Sequence, residues 1–403
     1  MELVTVDRVH QARALLAGIA RTTPMEYSRT LSAEHGDEVY LKCENLQRTG
    51  SFKIRGAYVR IHGLSPAERA RGVVAASAGN HAQGVALAAS TLNITSTVFM
   101  PVQVPLPKLA ATRAYGADVH LYGTTIEETL EQAQAFAEQT GAVFIHPFDH
   151  PDVIAGQGTL GLEVIEQLPE VVTLVVPTGG GGLAGGVAAA VKAVRPDVRV
   201  IGVQAEQAAA YPPSLTAGGP VRLPEMQTMA DGIAVGEPGI VSYAHVEEMV
   251  DDVVTVTEES LSRAVLLCLE RAKLTVEPAG AASVAALLQY PRRFAGPVVA
   301  VLSGGNVDPL LLLQIIQHGM TAAGRYLALR LRVPDRPGSL AALLARVGEL
   351  GANVLDVEHS RVSGALRLGE VEVALDLETR GADHCAQVTE ALHAAGYTVL
   401  ERR

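Results

Sequence analysis

The chain has no tryptophan and only three cysteines in 403 residues, and each shortage closes a possibility. Cys43, Cys268 and Cys385 lie too far apart to suggest a disulfide framework or a paired metal-ligand spacing, so a reducing, cytoplasmic setting is expected. Clusters of lysine and arginine are also missing, and the formal net charge is −11. Nucleic acid and anionic membranes both need a basic footprint, so neither is expected as a partner. No charge-free apolar run reaches membrane-spanning length. Residues 1–21 place Glu2, Asp7, Arg8, His10 and Arg13 among apolar residues at helical spacing, which is not the pattern of a signal peptide.

What the chain does have is small apolar side chains and 39 glycines, with 48% of residues hydrophobic. That is enough to bury a large core in two or more domains, and it suits closely packed α/β layers. Short β-rich runs at 38–42, 73–76, 97–100, 119–122, 173–176, 198–203 and 298–302 alternate with helical patterns. Such alternation predicts parallel sheets covered on both faces, with ligands gathered where strands end and helices begin. After about Thr321 the pattern changes. Alternation over Tyr326–Val333, a turn at Asp335-Arg336-Pro337-Gly338, a helix from Ser339, strands from Asn353 and over 370–377, a helix at 383–395 and a last strand at 397–400 give βαββαβ, the ferredoxin-like plan. A boundary is expected near Ala322-Ala323-Gly324, where the small residues could equally cap the preceding helix.

Three strand-to-helix loops carry the candidate chemistry. The segment 44–57 turns at Gly50 and opens a helix, with Ser51 as expected N-cap and Lys53 in the first turn. The positive end of the helix dipole, with Phe52 and Ile54 alongside, disfavours the ammonium form and leaves a nucleophilic amine. Ala76-Ser77-Ala78-Gly79-Asn80-His81 presents free amides to an anion. Gly179-Gly180-Gly181-Gly182-Leu183 follows a strand and can cradle a phosphate. Gly180, Gly182 and Gly185 also fit a dinucleotide fingerprint with Glu206 as acidic partner, so a nicotinamide-dependent oxidoreductase stays open at this point.

The segment Ser51-Phe52-Lys53-Ile54-Arg55-Gly56 resembles the cofactor-lysine motif of fold-type II pyridoxal-phosphate enzymes, and residues 1–320 resemble the threonine and serine dehydratases among them. The resemblance implies two parallel-sheet subdomains covered by helices, the smaller at roughly 46–147. It implies that Lys53 carries pyridoxal 5'-phosphate beside Phe52 and then serves as general base. Asn80 would bond the cofactor 3-hydroxyl, Gly179 to Gly182 and Leu183 would hold its phosphate, and Ser303 would partner the ring nitrogen. Ser77, Ala78, Gly79, Asn80 and His81 would line the carboxylate of an amino-acid substrate. Threonine would then give 2-oxobutanoate and ammonia, the entry to isoleucine synthesis.

Serine racemase, a close relative of these enzymes, has a serine where this chain has Ala78, so elimination is expected over racemisation. Gln204 and Ala210 stand where that relative's metal carboxylates would be, so no divalent metal is expected. Residues 325–403 resemble an ACT domain, which implies an amino-acid effector such as isoleucine or valine bound near Gly338 and Asn353, where two copies of a homodimer or homotetramer meet. A non-catalytic amino-acid sensor built on the same fold is the remaining alternative.

Overall fold

The computed structural model describes residues 2–361 and 366–402. The chain divides into two units, residues 1–312 and 313–403.

Unit one contains β1 (Met25–Tyr27), β2 (Val39–Cys43), β3 (Val73–Ala76), β4 (Ser96–Met100), β5 (Asp118–Leu121), β6 (Val143–Phe144), β7 (Thr173–Pro177), β8 (Arg199–Ala205), β9 (Asp252–Val256) and β10 (Val298–Leu302). All seven anticipated strands form. β1, β6 and β9 were not anticipated: the first two are too short to display a period, and β9 opens on Asp251-Asp252, which reads as a turn. The larger sheet runs β1-β2-β10-β7-β8-β9 and is parallel except for β1. A second, all-parallel sheet runs β5-β4-β3-β6. Parallel strands deliver their following loops to one edge, so the loops after β3, β7 and β10 each open at a sheet's carboxyl end.

The helices Lys53–His62, Pro151–Gln167 and Gly182–Val194 meet almost backbone to backbone. A Cβ on Gly156 would lie 2.6 Å from the Arg55 carbonyl oxygen, and one on Gly186 would land on the Ile154 carbonyl. Beside this seam lies a buried quartet of balanced charge: Lys42, Glu44, Arg55 and Glu163. Arg55 Nε and Nη2 donate to the two oxygens of Glu44, each at 2.8 Å, and Nη1 donates to Glu163 Oε1 at 2.7 Å. Lys42 Nζ completes the set at 2.7 Å from Glu163 Oε2. Burial alone would raise the Glu44 pKa, but the Arg55 guanidinium more than offsets it and holds the carboxyl low.

Unit two is β11 (Tyr326–Pro334), helix Ser339–Glu349, β12 (Asn353–Ser360), β13 (Glu370–Glu378), helix Ala382–Ala394 and β14 (Thr398–Arg402), in the antiparallel order β12-β13-β11-β14. Strict alternation turns Leu327, Leu329, Leu331 and Val333, with Val371, Val373, Leu375 and Leu377, onto Leu343, Val347, Val388 and Leu392. Gly324, at φ +64°, closes the preceding Pro309–Ala322 helix, so the capping reading of Ala322-Ala323-Gly324 describes the local geometry. Among the described residues no helix is long and apolar enough to cross a membrane.

Candidate active site

Lys53 is the first residue of its helix. Ser51 is not the N-cap, as the sequence had suggested. Its backbone is extended and bridges Gly304 in the turn after β10, which draws it away from the helix end, and its buried Oγ has no partner. Lys53 Nζ donates to the Pro147 carbonyl at 2.8 Å and lies 5.2 Å from the Phe52 ring centre. Burial lowers the amine to about 8, with Glu277 acting weakly in the other direction. An amine near its titration point is what imine chemistry requires.

The helix Asn80–Thr91 that follows the β3 loop packs directly on this helix, for a Cβ on Gly84 would sit 3.2 Å from Lys53 Cβ. Ser77 Oγ accepts from the Gly79 N–H at 3.1 Å and shapes the turn, and Ala78 packs against the Ala82 and Val98 cluster. The helix Asn80–Thr91 begins there. The N–H groups of Asn80, His81 and Ala82 have no protein acceptor among the described residues, which leaves a free helix N-terminus for an anion. The His81 side chain is turned away from that end: its Nε2 meets the Ile145 carbonyl at 2.8 Å, and burial lowers its pKa to about 3, so it is neutral.

The tetraglycine is a second anion site of the same kind. Gly181 adopts φ +97° before the helix Gly182–Val194, and the N–H groups of Gly180, Gly181, Gly182 and Leu183 have no protein acceptor among the described residues. Its glycines are enforced from behind. A Cβ on Gly181 would land on the Tyr211 hydroxyl, one on Gly180 on the Phe148 ring, and one on Gly179 would lie 3.0 Å from Ile233 Cα. A Cβ on Gly185 would lie 2.8 Å from His245 Cβ, a packing reason for the third fingerprint glycine. Pro147-Phe148 joins the two regions, since Pro147 holds Lys53 and Phe148 backs the tetraglycine.

Ser303 follows β10 and is 4% exposed, with its carbonyl accepting from the Phe52 N–H at 3.2 Å. Its Oγ bonds no protein group among the described residues. Three residues the sequence did not single out also enter the site. Glu277 Oε1 accepts from Asn80 Nδ2 at 2.5 Å, and Lys108 Nζ pairs with Asp231 at 2.9 Å while reaching within 3.7 Å of a Cβ placed on Gly79. Glu277 just ahead of Pro278, a carboxylate before a proline-led helix, was the available signal. Gln204 is fully buried, with Oε1 accepting from the Tyr211 N–H at 2.8 Å, and Ala210 is buried beside it. Gly338 and Asn353 lie in unit two, at a helix start with φ +89° and at the exposed start of β12.

A family model described as pyridoxal-phosphate dependent enzyme matches residues 16–304. The chain belongs to that family. Among relatives of this pyridoxal-phosphate enzyme, an L-threonine ammonia-lyase of Thermotoga maritima is 47% identical over 397 residues, covering 98% of this chain and 99% of the relative. The crystal structure of a T.th. threonine deaminase superposes with TM-score 0.72 at 41% identity, covering 75% of this chain and 99% of that one. Maize serine racemase gives TM-score 0.74 at 36% identity, covering 78% and 97%.

The fold is therefore that of a fold-type II pyridoxal-phosphate enzyme, and its cofactor is pyridoxal 5'-phosphate. The donor set fits that molecule: a low-pKa amine for its aldehyde, four unclaimed amides for its phosphate, and an uncommitted hydroxyl at Ser303. Among the described residues no group of three or more His, Cys, Asp or Glu side chains could hold a metal ion.

Proposed function

We propose that this enzyme dehydrates and deaminates L-threonine to 2-oxobutanoate and ammonia, and L-serine to pyruvate and ammonia. The observation that carries this reading is the buried Lys53 amine, lowered to about 8 and bonded to Pro147, whose neighbour Phe148 backs the tetraglycine, on a helix packed against the one that opens at Asn80; both of those helix N-termini have unclaimed amides. One terminus suits a phosphate, the other a carboxylate. Bound pyridoxal phosphate supplies an aldehyde carbon and a conjugated ring that takes up negative charge. Phe52 would pack beside it, Gly179 to Gly182 and Leu183 would hold its phosphate, and Asn80 would donate to its 3-oxygen. Ser303 would meet the ring nitrogen as a neutral hydroxyl, which would not hold a proton on the ring as a carboxylate would.

The loop Ser77-Ala78-Gly79-Asn80-His81 takes the substrate carboxylate on its unclaimed amides, those of Asn80 and His81 among them, and neutral Lys53 removes the α-proton. Ala78 offers no hydroxyl to return a proton from the opposite face, which favours elimination over racemisation. Relatives named for threonine ammonia-lyase and threonine deaminase support the substrate.

Residues 1–320 form the catalytic part in this reading, with 46–147 as its smaller subdomain, and residues 325–403 form an ACT-type regulatory part. The βαββαβ order of unit two supports the latter. Its effector is a branched-chain amino acid, isoleucine or valine, near Gly338 and Asn353, in a homodimer or homotetramer acting in the cytoplasm at the first step toward isoleucine. The test is 2-oxo acid release from threonine and serine, with and without isoleucine and valine, by the wild type and Lys53→Ala. The wild type should be yellow and active, the variant colourless and inactive. A coloured Lys53→Ala protein with undiminished turnover defeats the reading.

A further inference from the structure

Glu277 stands where the loops after β3 and β10 converge near Lys53, and none of the roles above uses it. It is 4% exposed and occupies the N-cap position of the Pro278–Gln289 helix without capping it. The direction of its 2.5 Å bond with Asn80 is fixed from the far end of a chain. The Thr49 backbone carbonyl can only accept, so the Asn306 atom 2.6 Å away is the amide nitrogen. That same nitrogen reaches Asn80 at 2.7 Å, which makes its neighbour the Asn80 oxygen. Asn80 must then turn its amino group to Glu277, where it donates one hydrogen and keeps the other free.

The carboxyl is also held in place from beneath. The Glu277 N–H bonds the Gly304 carbonyl at 3.1 Å, and a Cβ on Gly304 would run into Glu277 Oε1 while lying 2.9 Å from Asn80 Nδ2. Gly304 follows Ser303 directly, so one carboxyl touches both the asparagine loop and the serine turn. The charged groups that face it are Asp231, Lys108 and Lys53, with Asp308 acting on Lys108. Asp231 disfavours its charge and the two lysines favour it. Burial is the largest influence, and the carboxyl is pushed up to about 7.

We propose that Glu277 is a proton-exchanging positioning residue that acts on the bound cofactor through Asn80, so that the cofactor's protonation follows that of this carboxyl. As a carboxylate it fixes the Asn80 amide by a charge-assisted bond and adds one negative charge near the nitrogen of Lys53, which favours a proton there. As a neutral acid it withdraws both effects. This rests on the reading of Lys53 as the cofactor lysine.

The test is the absorption spectrum of the holoenzyme from about pH 5.5 to about pH 9, spanning the neutral range, for wild type, Glu277→Gln and Glu277→Asp. In the wild type the visible share of the cofactor absorbance should rise with pH, with a midpoint near 7. Glu277→Gln should lose that titration, and Glu277→Asp should keep it at a displaced midpoint. Infrared difference spectra should show a protonated-carboxyl band in the wild type that fades over the same range, and this holds the test open if the glutamine variant does not fold. An unchanged midpoint in Glu277→Gln, or a wild-type spectrum constant across the range, overturns the inference. A wild type with no visible band overturns the cofactor-lysine reading and this inference with it.

Discussion

Replacing Glu44 with glutamine leaves the side-chain shape almost unchanged and removes one of four buried charges. Lys42 and Arg55 would then face Glu163 alone, and Arg55 would lose a bidentate pair made of two 2.8 Å bonds. Breaking such a pair typically costs about 3–5 kcal/mol because a charge is left uncompensated in low dielectric. At about 4 kcal/mol and a urea slope of about 3 kcal/mol per M, the unfolding midpoint should fall by about 1.3 M. Circular dichroism is the suitable probe, since the chain has no tryptophan to report by fluorescence. The double variant Glu44→Leu/Arg55→Met restores a balanced Lys42–Glu163 pair and should be less destabilised than Glu44→Gln alone.

The pH sign follows from the depressed Glu44 carboxyl. Its contribution is complete above its ordinary value of 4.5 and is lost as pH falls through the folded-state value. A fall of under about 0.3 M for Glu44→Gln, the scale of an exposed ion pair, would refute the reasoning. So would a double variant no more stable than the sum of its parts.

Three further outcomes are expected. The rate at which apoprotein gains colour on mixing with pyridoxal phosphate should rise with pH and level off above about 8. An amine titrating there is half neutral at pH 8, against about 0.3% for one at 10.5; a stopped-flow midpoint above about 9.5 would contradict the burial of Lys53. Gly181→Ala combines a left-handed φ with a clash on Tyr211 and should weaken cofactor binding at least about tenfold by equilibrium dialysis, with partial recovery in Gly181→Ala/Tyr211→Phe, since left-handed strain of about 1–2 kcal/mol remains. Lys108→Met should raise KM for threonine about tenfold with a smaller change in kcat. Asp231→Asn, at a half-exposed partner, should change it by no more than about fivefold, the scale of an exposed pair.

The parallel sheets were legible because short runs rich in Val, Leu, Ile and Ala, unbroken in β3 and β10 and carrying few polar residues in β2, β4, β7 and β8, alternate with stretches in helical spacing. Unit two was legible through the strict alternation of β11 and β13. Among the candidate residues, the asparagine loop, the tetraglycine and the serine turn stand out as runs of small side chains after strands, and Lys53 by its place in the first turn of the helix after Gly50. Glu277, Lys108 and Asp231 did not, because each reaches the site from a distant stretch of chain, and the local sign at Glu277, a carboxylate ahead of a proline-led helix, does not by itself point to Lys53 or Asn80. Ser51 misled for a related reason. Its local pattern is that of a cap, but pairing with Gly304, far away in sequence, decides its backbone.

The seam of glycines at Gly56, Gly156 and Gly186 sets a practical limit on remodelling this enzyme. The helix that presents Lys53 and the helix that follows the tetraglycine both rest on Pro151–Gln167 at close range, so even one added methyl group at Gly56, Gly156 or Gly186 would push these helices apart. Libraries aimed at new amino-acid substrates should leave that floor untouched.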